Sequence, residues 1–305
     1  MIKDGEIMKL RRSLIWVGGD NEAKFKAAVA SNADVICFDV EDGVLPQNKE
    51  LARQKIVEYI KNYDLKGKEI GVRINGVNTE YWERDLEVIL PAVPNFLRLP
   101  KSNDIKEILM LDKIVSKFEE EHDLPQYTIE FILMIEDPLG LMCVYELCTC
   151  TPRVTAVGIG LEDFTTAMGM QRRYELGSLE LIYAKQKLIV EAKAAGVQAL
   201  ESSSLIQEGL EYLLEDSKLS RSFGFTGRSA GEVSHVDVIN RAFTPSEDEL
   251  SWAREVRRCY NLSLANNDPS LLCVDGKAID WPVVVKADNL LELDQLIKER
   301  TGAAC

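Results

Sequence analysis

Short apolar runs that alternate with helical stretches restrict the fold of this chain more than any other feature of its sequence. Eight runs rich in Val, Ile, Leu and Phe are predicted to be strands, at residues 14–17, 34–38, 69–74, 95–99, 128–135, 154–159, 197–200 and 222–225. Near-continuous apolar runs are typical of parallel strands that are buried on both faces. The helical stretches between them would cover those faces.

Eight strand–helix units favour an α/β fold in which a (β/α)8 TIM barrel closes on itself. An open doubly wound sheet is the alternative that the same alternation allows. After residue 245 the apolar runs stop, and two helical stretches, 247–265 and 287–301, bracket a polar loop. We therefore expect a barrel domain at 1–245 and a helical lid segment at 246–305, which either caps its own barrel or packs on a neighbouring subunit.

The charge of the chain limits its partners. With 36 Lys and Arg against 50 Asp and Glu, the formal net charge is −14. Such a surface disfavours nucleic acid and anionic membranes, which require clustered basic residues. Neither a secretory signal nor an apolar stretch of membrane-spanning length is visible, so a cytoplasmic protein is expected. Seven Cys with only two His make a zinc site improbable.

Acidic residues recur where the predicted strands end, which is where TIM barrels place their active sites. Strand two ends in Asp39-Val-Glu41-Asp42, strand five in Glu136-Asp137-Pro138 and strand six in Gly160-Leu-Glu162-Asp163. Carboxylates without a neighbouring His or Cys are hard oxygen ligands that suit Mg²⁺. A cation held by only two of them keeps open positions for water and a chelating substrate.

Each of these residues also has a structural explanation. The acids after strands five and six could cap helix N-termini, where a carboxylate accepts hydrogen bonds from free backbone N–H groups. Strand alternation places Arg73 on the inner face of the barrel, where an unpaired charge is very costly. Arg73 therefore faces either a structural carboxylate or an anionic substrate. The pair Gly158-Ile-Gly160 lacks the third glycine of a dinucleotide-binding motif.

Taken in chain order, the strand ends and loops of this sequence resemble the citrate lyase beta-subunit-like family. This is the malyl-CoA and citramalyl-CoA lyase group of the class II-type aldolase barrel superfamily. The matching stretches run from about residue 11 to 290, and they are 12–17, 33–44, 72–75, 99–101, 135–140, 160–163, 224–227, 240–245 and 275–282. The resemblance implies a (β/α)8 barrel with Glu136 and Asp163 as Mg²⁺ ligands.

The resemblance also implies the remaining roles. Arg73 would grip a 2-oxo acid, and Glu41 and Asp42 would orient Arg73 and metal-bound water. Asp280, on a C-terminal lid that closes over a neighbour's site, would be the general acid/base, in a homotrimer or hexamer. Arg12 would contact the phosphates of a CoA thioester.

The function implied is a Mg²⁺-dependent carbon–carbon lyase that splits or forms a 3-hydroxyacyl-CoA such as malyl-, methylmalyl- or citramalyl-CoA. Its products would be an acyl-CoA and glyoxylate or pyruvate. Where the family commonly has Gly-Lys and an Ile-His-Pro stretch, this chain has Arg228 and Gly231-Glu-Val-Ser-His235. These departures point away from a citrate lyase beta subunit, which remains an alternative, as do a malyl-CoA thioesterase and a non-catalytic CoA-thioester binder.

Overall fold

A computed structural model describes residues 9–174, 176–204 and 209–302. The chain divides into two units, Met1–Phe243 and Thr244–Cys305. The first contains eight parallel strands that form a closed barrel in chain order. These strands are β1 (Ser13–Gly18), β2 (Val35–Asp39), β3 (Glu69–Arg73), β4 (Phe96–Leu99), β5 (Glu130–Ile135), β6 (Val154–Ile159), β7 (Gln198–Glu201) and β8 (Gly227–Ala230). The predicted TIM barrel is thereby confirmed, and the open sheet is excluded because β1 pairs with β8.

Helices follow every strand and cover the barrel. They are α1 (Glu22–Ala30), α2 (Lys49–Asn62), α3 (Trp82–Ile89), α4 (Ile105–Glu121), α5 (Pro138–Met142), α6 (Val144–Thr149), α7 (Leu161–Ala167), α8 (Ile182–Ala195), α9 (Leu210–Phe223) and α10 (Val236–Phe243). The apolar core lies mainly between this helical layer and the outward-facing side chains of the strands. No helix in the described part of the chain combines the length and apolar character that a membrane span requires.

The barrel interior is filled in layers. Near the amino-terminal end, the guanidinium of Arg11 is ion-paired with Glu69 at 2.6 Å and with Glu130 at 2.7 Å. Above it lies a smaller apolar cluster of Leu14, Val35, Cys37, Phe96, Ile132, Ala156 and Leu200. The barrel is therefore closed at this end, and only its opposite end, where the strands terminate, can admit a substrate.

The eighth strand lies further along the chain than predicted. Residues 222–225 are not a strand, because α9 continues to Phe223 and ends at Gly224 with a positive φ of 113°. The strand is Gly227–Ala230, which carries Arg228 and Ser229 instead of an apolar run. Arg228 is buried because it forms an ion pair with Asp216 of α9 at 2.7 Å. Burial through a charge pair gives no hydrophobic signal, which explains the error.

The C-terminal unit consists of two long helices, α11 (Glu247–Asn266) and α12 (Trp281–Thr301), and a short antiparallel pair, β9 (Cys273–Val274) and β10 (Lys277–Ala278). A capping box at Ser246 begins α11. The helix α12 begins six residues before its predicted start at 287, because the side chain of Asp280 caps it and Pro282 occupies its first turn. The two helices pack through their own apolar cluster, which includes Val256 and Val284.

Candidate active site

Arg73, the last residue of β3, lies beside carboxylates at the end of β2 and in the loop that follows it. Its Nε and Nη2 donate to the two carboxylate oxygens of Asp39, at 2.8 and 2.6 Å. Nη1 lies 2.6 Å from Oε2 of Glu41. Burial alone would lower the pKa of Arg73, but the charges of Asp39 and Glu41 raise it above its ordinary value. Arg73 is therefore a permanent cation with a fixed orientation.

Asp39 is the residue of this site that the sequence analysis did not assign. It ends β2, is paired in register with Arg73, and also accepts backbone N–H groups from Glu41 and Gly43, both at 2.9 Å. A Cβ at residue 43 would lie 2.2 Å from Oδ2 of Asp39, so only glycine fits there. Burial would raise the pKa of Asp39, but the charge of Arg73 lowers it. The alternation of inward-facing residues along β2, which includes Cys37, places Asp39 on the inner face of the barrel but does not pair it with Arg73.

A buried lysine supports the loop after β2. The Nζ of Lys49 donates to the carbonyls of Val40 and Glu41, at 2.7 and 2.9 Å, and to Oδ1 of Asn75 at 2.8 Å. These bonds attach helix α2 to the loops after β2 and β3. Lys49 thus fixes the backbone that carries Glu41, and it is a second residue that the sequence analysis left without a role.

Glu136 follows β5 and is buried beside this cluster. Burial and then the charge of Glu41 raise the pKa of Glu136 to about 7; Arg73 opposes the shift and Asp163 adds to it. The pKa of Glu41 is likewise raised to about 7, first by burial and then, against Arg73, by Asp42 and Asp39. The site therefore holds more negative charge than Arg73 compensates.

The backbone around Glu136 is shaped to receive its side chain. Oε2 accepts the N–H of Lys101 at 3.1 Å, and Lys101 has a positive φ of 49°, uncommon outside glycine. Just after the neighbouring strand β6, a Cβ at residue 160 would lie 2.6 Å from Cγ of Glu136. Gly160 at the end of β6 therefore provides the space that this carboxylate occupies.

Helix capping does not account for the two predicted metal ligands. The cap of α5 is Asp137, whose Oδ1 accepts the N–H of Gly140 at 2.8 Å. The N-cap of α7 is Gly160, which forms no side-chain cap, and Asp163 lies partly buried in the first turn of that helix. Glu136 and Asp163 each adjoin a helix start, but neither of them is the N-cap of that helix.

The residues present fit a divalent cation. Glu136 and Asp163 carry carboxylate oxygens, the donor type that hard divalent cations prefer, and they are close enough for the charge of Asp163 to raise the pKa of Glu136. Within residues 9–174, 176–204 and 209–302 no group of three or more His, Cys, Asp or Glu side chains forms a metal cage. A cation here would therefore have Glu136 and Asp163 as protein ligands and take its other ligands from water or substrate.

Two predicted residues of the barrel unit lie outside this cluster, and a third belongs to the C-terminal unit. Arg12 precedes β1 at the amino-terminal end of the barrel, where it is buried and its Nε is ion-paired with Asp34 at 2.9 Å. Its position away from the strand ends removes Arg12 from the site. Asp42 is exposed on the loop beside Glu41. Asp280 is an exposed residue of the C-terminal unit, and its carboxylate accepts the N–H of Val283 at 3.2 Å.

Comparisons with known proteins agree with the fold. The family model described as HpcH/HpaI aldolase/citrate lyase matches residues 12–232. The chain is 29% identical to the citrate lyase subunit beta of Leuconostoc mesenteroides subsp. cremoris over 285 residues, which covers 93% of each chain. It is 31% identical to the mitochondrial citramalyl-CoA lyase of Homo sapiens over 300 residues, 95% of this chain and 87% of that one.

Among solved structures, the chain resembles the protein CitE from Mycobacterium tuberculosis in complex with magnesium, acetoacetate and coenzyme A. The TM-score is 0.74 at 23% identity, and the match covers 93% of this chain and 98% of the other. At this identity the likeness supports the fold. The fold therefore agrees with the sequence relatives over nearly the full length of the chain.

Proposed function

The chain belongs to the HpcH/HpaI aldolase/citrate lyase family of oxo-acid lyases, and from this premise we propose that it is a Mg²⁺-dependent carbon–carbon lyase acting on a 3-hydroxyacyl-CoA. The substrate class is malyl-, methylmalyl- or citramalyl-CoA, and the products are an acyl-CoA and glyoxylate or pyruvate. The observation that carries the proposal is the pairing of Arg73 with an uncompensated acidic cluster at the open end of the barrel.

Arg73 is suited to hold the carboxylate of a 2-oxo acid. A guanidinium has five N–H groups; Asp39 accepts hydrogen bonds from two of them, and Glu41 is ion-paired with Nη1. Because Asp39 fixes the plane of the group, the remaining N–H groups are oriented before the substrate arrives. Preorganised donors lower the cost of stabilising negative charge that develops during the reaction.

Glu136 and Asp163 would hold Mg²⁺. When bound, the ion supplies Lewis-acid polarisation of the 2-oxo carbonyl. The buried position of Glu136 excludes water on one side, which strengthens its attraction for a cation. Glu41 is ion-paired with Arg73 and keeps it oriented. The next residue, Asp42, is exposed and extends the acidic lining of the site toward solvent.

Asp280 would move the proton. We propose that it takes a proton from the carbon alpha to the thioester carbonyl in the condensing direction and returns it in the cleaving direction. Its exposure makes it available to the barrel of another subunit, as the predicted homotrimer or hexamer requires. The cap that it forms on α12 fixes the backbone that presents it.

The test is product analysis with the purified protein, Mg²⁺ and a panel of malyl-, methylmalyl- and citramalyl-CoA. We expect release of a 2-oxo acid together with an acyl-CoA, abolished by a chelator and by Glu136→Gln. Release of free CoA without a 2-oxo acid would instead identify a thioesterase. Absence of both products across the panel would contradict the proposal.

Citrate lyase beta activity is the second candidate, favoured by the 29% identity to the Leuconostoc subunit. It predicts oxaloacetate release from a citryl thioester carried on an acyl carrier. Including citryl-CoA as a model substrate in the same panel separates the two candidates, because its cleavage gives oxaloacetate.

A further inference from the structure

Lys101 lies in the turn that follows β4, and its backbone is held in an uncommon conformation. Its φ of 49° falls in the left-handed region, which glycine adopts far more readily than lysine. Two hydrogen bonds hold the turn against β5: the N–H of Lys101 donates to Oε2 of Glu136 at 3.1 Å, and the N–H of Ser102 donates to the carbonyl of Met134 at 2.9 Å. A strained backbone beside a proposed metal ligand, where glycine would fit more easily, points to a task for the lysine side chain itself.

The side chain of Lys101 lies at the open end of the barrel. It is exposed, and it lines a cavity together with Glu41 and Asp42. Burial raises the pKa of Glu41 to about 7, and the positive charge of Lys101 is among the charges that oppose this shift. Because its N–H contacts Glu136 and its ammonium acts on Glu41, Lys101 borders the proposed site on the side that a substrate can reach.

The neighbouring cations at this end of the barrel are engaged or enclosed. Arg73 is held by two carboxylates, and the three N–H donors of Lys49 are taken by oxygen atoms of the chain. Arg98 on β4 lies with Arg73 on the ring of Trp16, at 4.5 Å for Arg98 and 4.7 Å for Arg73, but Arg98 is buried. In the part of the chain that the structure describes, the ammonium of Lys101 forms no hydrogen bond or ion pair. Among these four cations, Lys101 is therefore the one that can turn toward a substrate.

Cleavage of a 3-hydroxyacyl-CoA moves negative charge onto the thioester. The substrate hydroxyl releases its proton to solvent as the carbonyl of the 2-oxo acid forms, and the electron pair of the broken C–C bond leaves an enolate whose charge lies on the thioester oxygen. Arg73 and the divalent cation would serve the 2-oxo acid, so this oxygen still requires a donor. The phosphates of CoA are too distant to be the anion that Lys101 meets, because the pantetheine arm separates them from the reacting thioester.

We propose that Lys101 is a catalytic residue that donates a hydrogen bond to the thioester oxygen and stabilises the enolate. The inference rests on the proposed function and assigns a donor that this function requires. Lys101 keeps its own proton throughout, and the proton that completes the acyl-CoA is the one that Asp280 delivers to the alpha carbon. A cation placed where charge develops stabilises the transition state more than the bound substrate. Its loss should therefore lower kcat rather than raise KM.

Steady-state kinetics of three Lys101 variants test this role, with Mg²⁺ and the CoA thioester that the unmodified protein cleaves best. Lys101→Met should lower kcat by about 100-fold or more, as the loss of an oxyanion donor does, and should change KM by less than about threefold. Lys101→Arg restores the charge and should recover part of kcat. Lys101→Gly suits the left-handed backbone, so it should lose activity like Lys101→Met without a lower melting temperature. The control is Lys106→Met, an exposed lysine on α4 that should leave the kinetics unchanged.

Calorimetry with glyoxylate or pyruvate and Mg²⁺ separates the thioester from the 2-oxo acid as the group that Lys101 contacts. Lys101→Met should bind the acid as tightly as the unmodified protein does. A parallel loss of acid affinity would assign Lys101 to the 2-oxo acid, and a higher KM with unchanged kcat would assign it to substrate binding alone. Either result, or unchanged kinetics, overturns the proposal while the proposed function stands. If the unmodified protein releases no 2-oxo acid from any thioester, the proposed function itself fails, and this inference fails with it.

Discussion

Single residues at this site have more than one task, and Asp39 is the clearest example. Its two oxygens accept hydrogen bonds from Nε and Nη2 of Arg73 and from two backbone N–H groups of the following loop. The orientation of the guanidinium and the path of the loop therefore depend on the same carboxylate. Removing one partner of such a buried pair leaves the other uncompensated, which costs about 3–5 kcal/mol.

Arg73→Lys should abolish most activity without unfolding the protein. Lysine keeps the charge near Asp39 and Glu41 but lacks the planar fork that Asp39 aligns. We expect kcat/KM to fall by roughly 100-fold or more, as for a misplaced binding group. Steady-state kinetics measure the effect, and Arg84→Lys, an exposed ion pair on α3, is the matched control that should change nothing. Equal losses in both variants would contradict the assignment.

The raised pKa values of Glu41 and Glu136 predict how stability varies with pH. A carboxyl group whose pKa is about 7 in the folded state and near 4.5 in the unfolded chain stabilises the fold at low pH. That stability is lost as pH rises through 7. Without divalent cations, unfolding free energy should fall by on the order of 5 kcal/mol between pH 5 and pH 8 because of these two groups.

Glu136→Gln isolates one of the two contributions. Denaturant titrations at pH 5, 6, 7 and 8 in the presence of a chelator should show a smaller decrease for the variant than for the unmodified protein. Added Mg²⁺ should stabilise the unmodified protein more at pH 8 than at pH 6, because protons compete with the cation for Glu136. Identical pH profiles for the two proteins would show that Glu136 is not the titrating group.

At the scale of elements, β6 creates the free space of the barrel. Gly158 within β6 adjoins the guanidinium of Arg98 on β4, and Gly160, the residue that follows β6, adjoins the carboxylate of Glu136. A strand with side chains at both positions would displace two charged groups of the site. The Gly158-Ile-Gly160 pair is not a nucleotide-binding motif; packing explains why both positions are glycine.

Gly160→Ala should weaken Mg²⁺ binding. The added methyl would lie 2.6 Å from Cγ of Glu136, so the carboxylate must move. We expect Mg²⁺ affinity, measured by calorimetry, to fall about tenfold or more, within the range seen when groups that position metal ligands are changed. The control is Gly231→Ala after β8, where a Cβ would lie 3.4 Å from the Ser204 carbonyl and should be tolerated. If the two variants bind Mg²⁺ equally, Gly160 does not set the position of Glu136.

The sequence predicts elements well where burial is apolar and poorly where it is ionic. Seven strands are recognisable because both faces are hydrophobic, whereas β8 is buried through Arg228 and Asp216 and has no such pattern. Glu136, Asp163 and Arg73 could be proposed as site residues because they lie at or after the ends of strands. Asp39 could not be chosen over Glu41 and Asp42 without the hydrogen bonds that distinguish them. Arg12 was predicted to contact the substrate, but it precedes β1, and a residue that precedes a barrel strand lies at the end away from the active site.

At the scale of the whole molecule, charge is unevenly distributed. The net charge is −14, yet the open end of the barrel holds two arginines in one layer around Trp16. Together with a divalent cation they would provide four positive charges beside Asp39, Glu41, Glu136 and Asp163. A polyanionic substrate can then be received by a protein whose surface as a whole repels it.

Subunit complementation tests where Asp280 acts. Asp280→Asn and Arg73→Lys should each be nearly inactive, and Asp280→Asn should still bind Mg²⁺. If the C-terminal unit serves a neighbouring barrel, mixed oligomers formed from the two variants should recover part of the activity, because some sites then combine an intact Arg73 with an intact Asp280. Lack of recovery in mixed oligomers verified by mass spectrometry would contradict a shared site, and full activity of Asp280→Asn would exclude Asp280 as the acid/base.

The ring of Trp16, held against two guanidinium groups, gives the protein an optical probe of its own reaction. The other three tryptophans are Trp82 on α3 and Trp252 and Trp281 in the C-terminal unit. An anion that engages either arginine changes the electric field across the Trp16 indole, so its emission should shift when substrate enters. Single turnovers could then be followed in real time without a label.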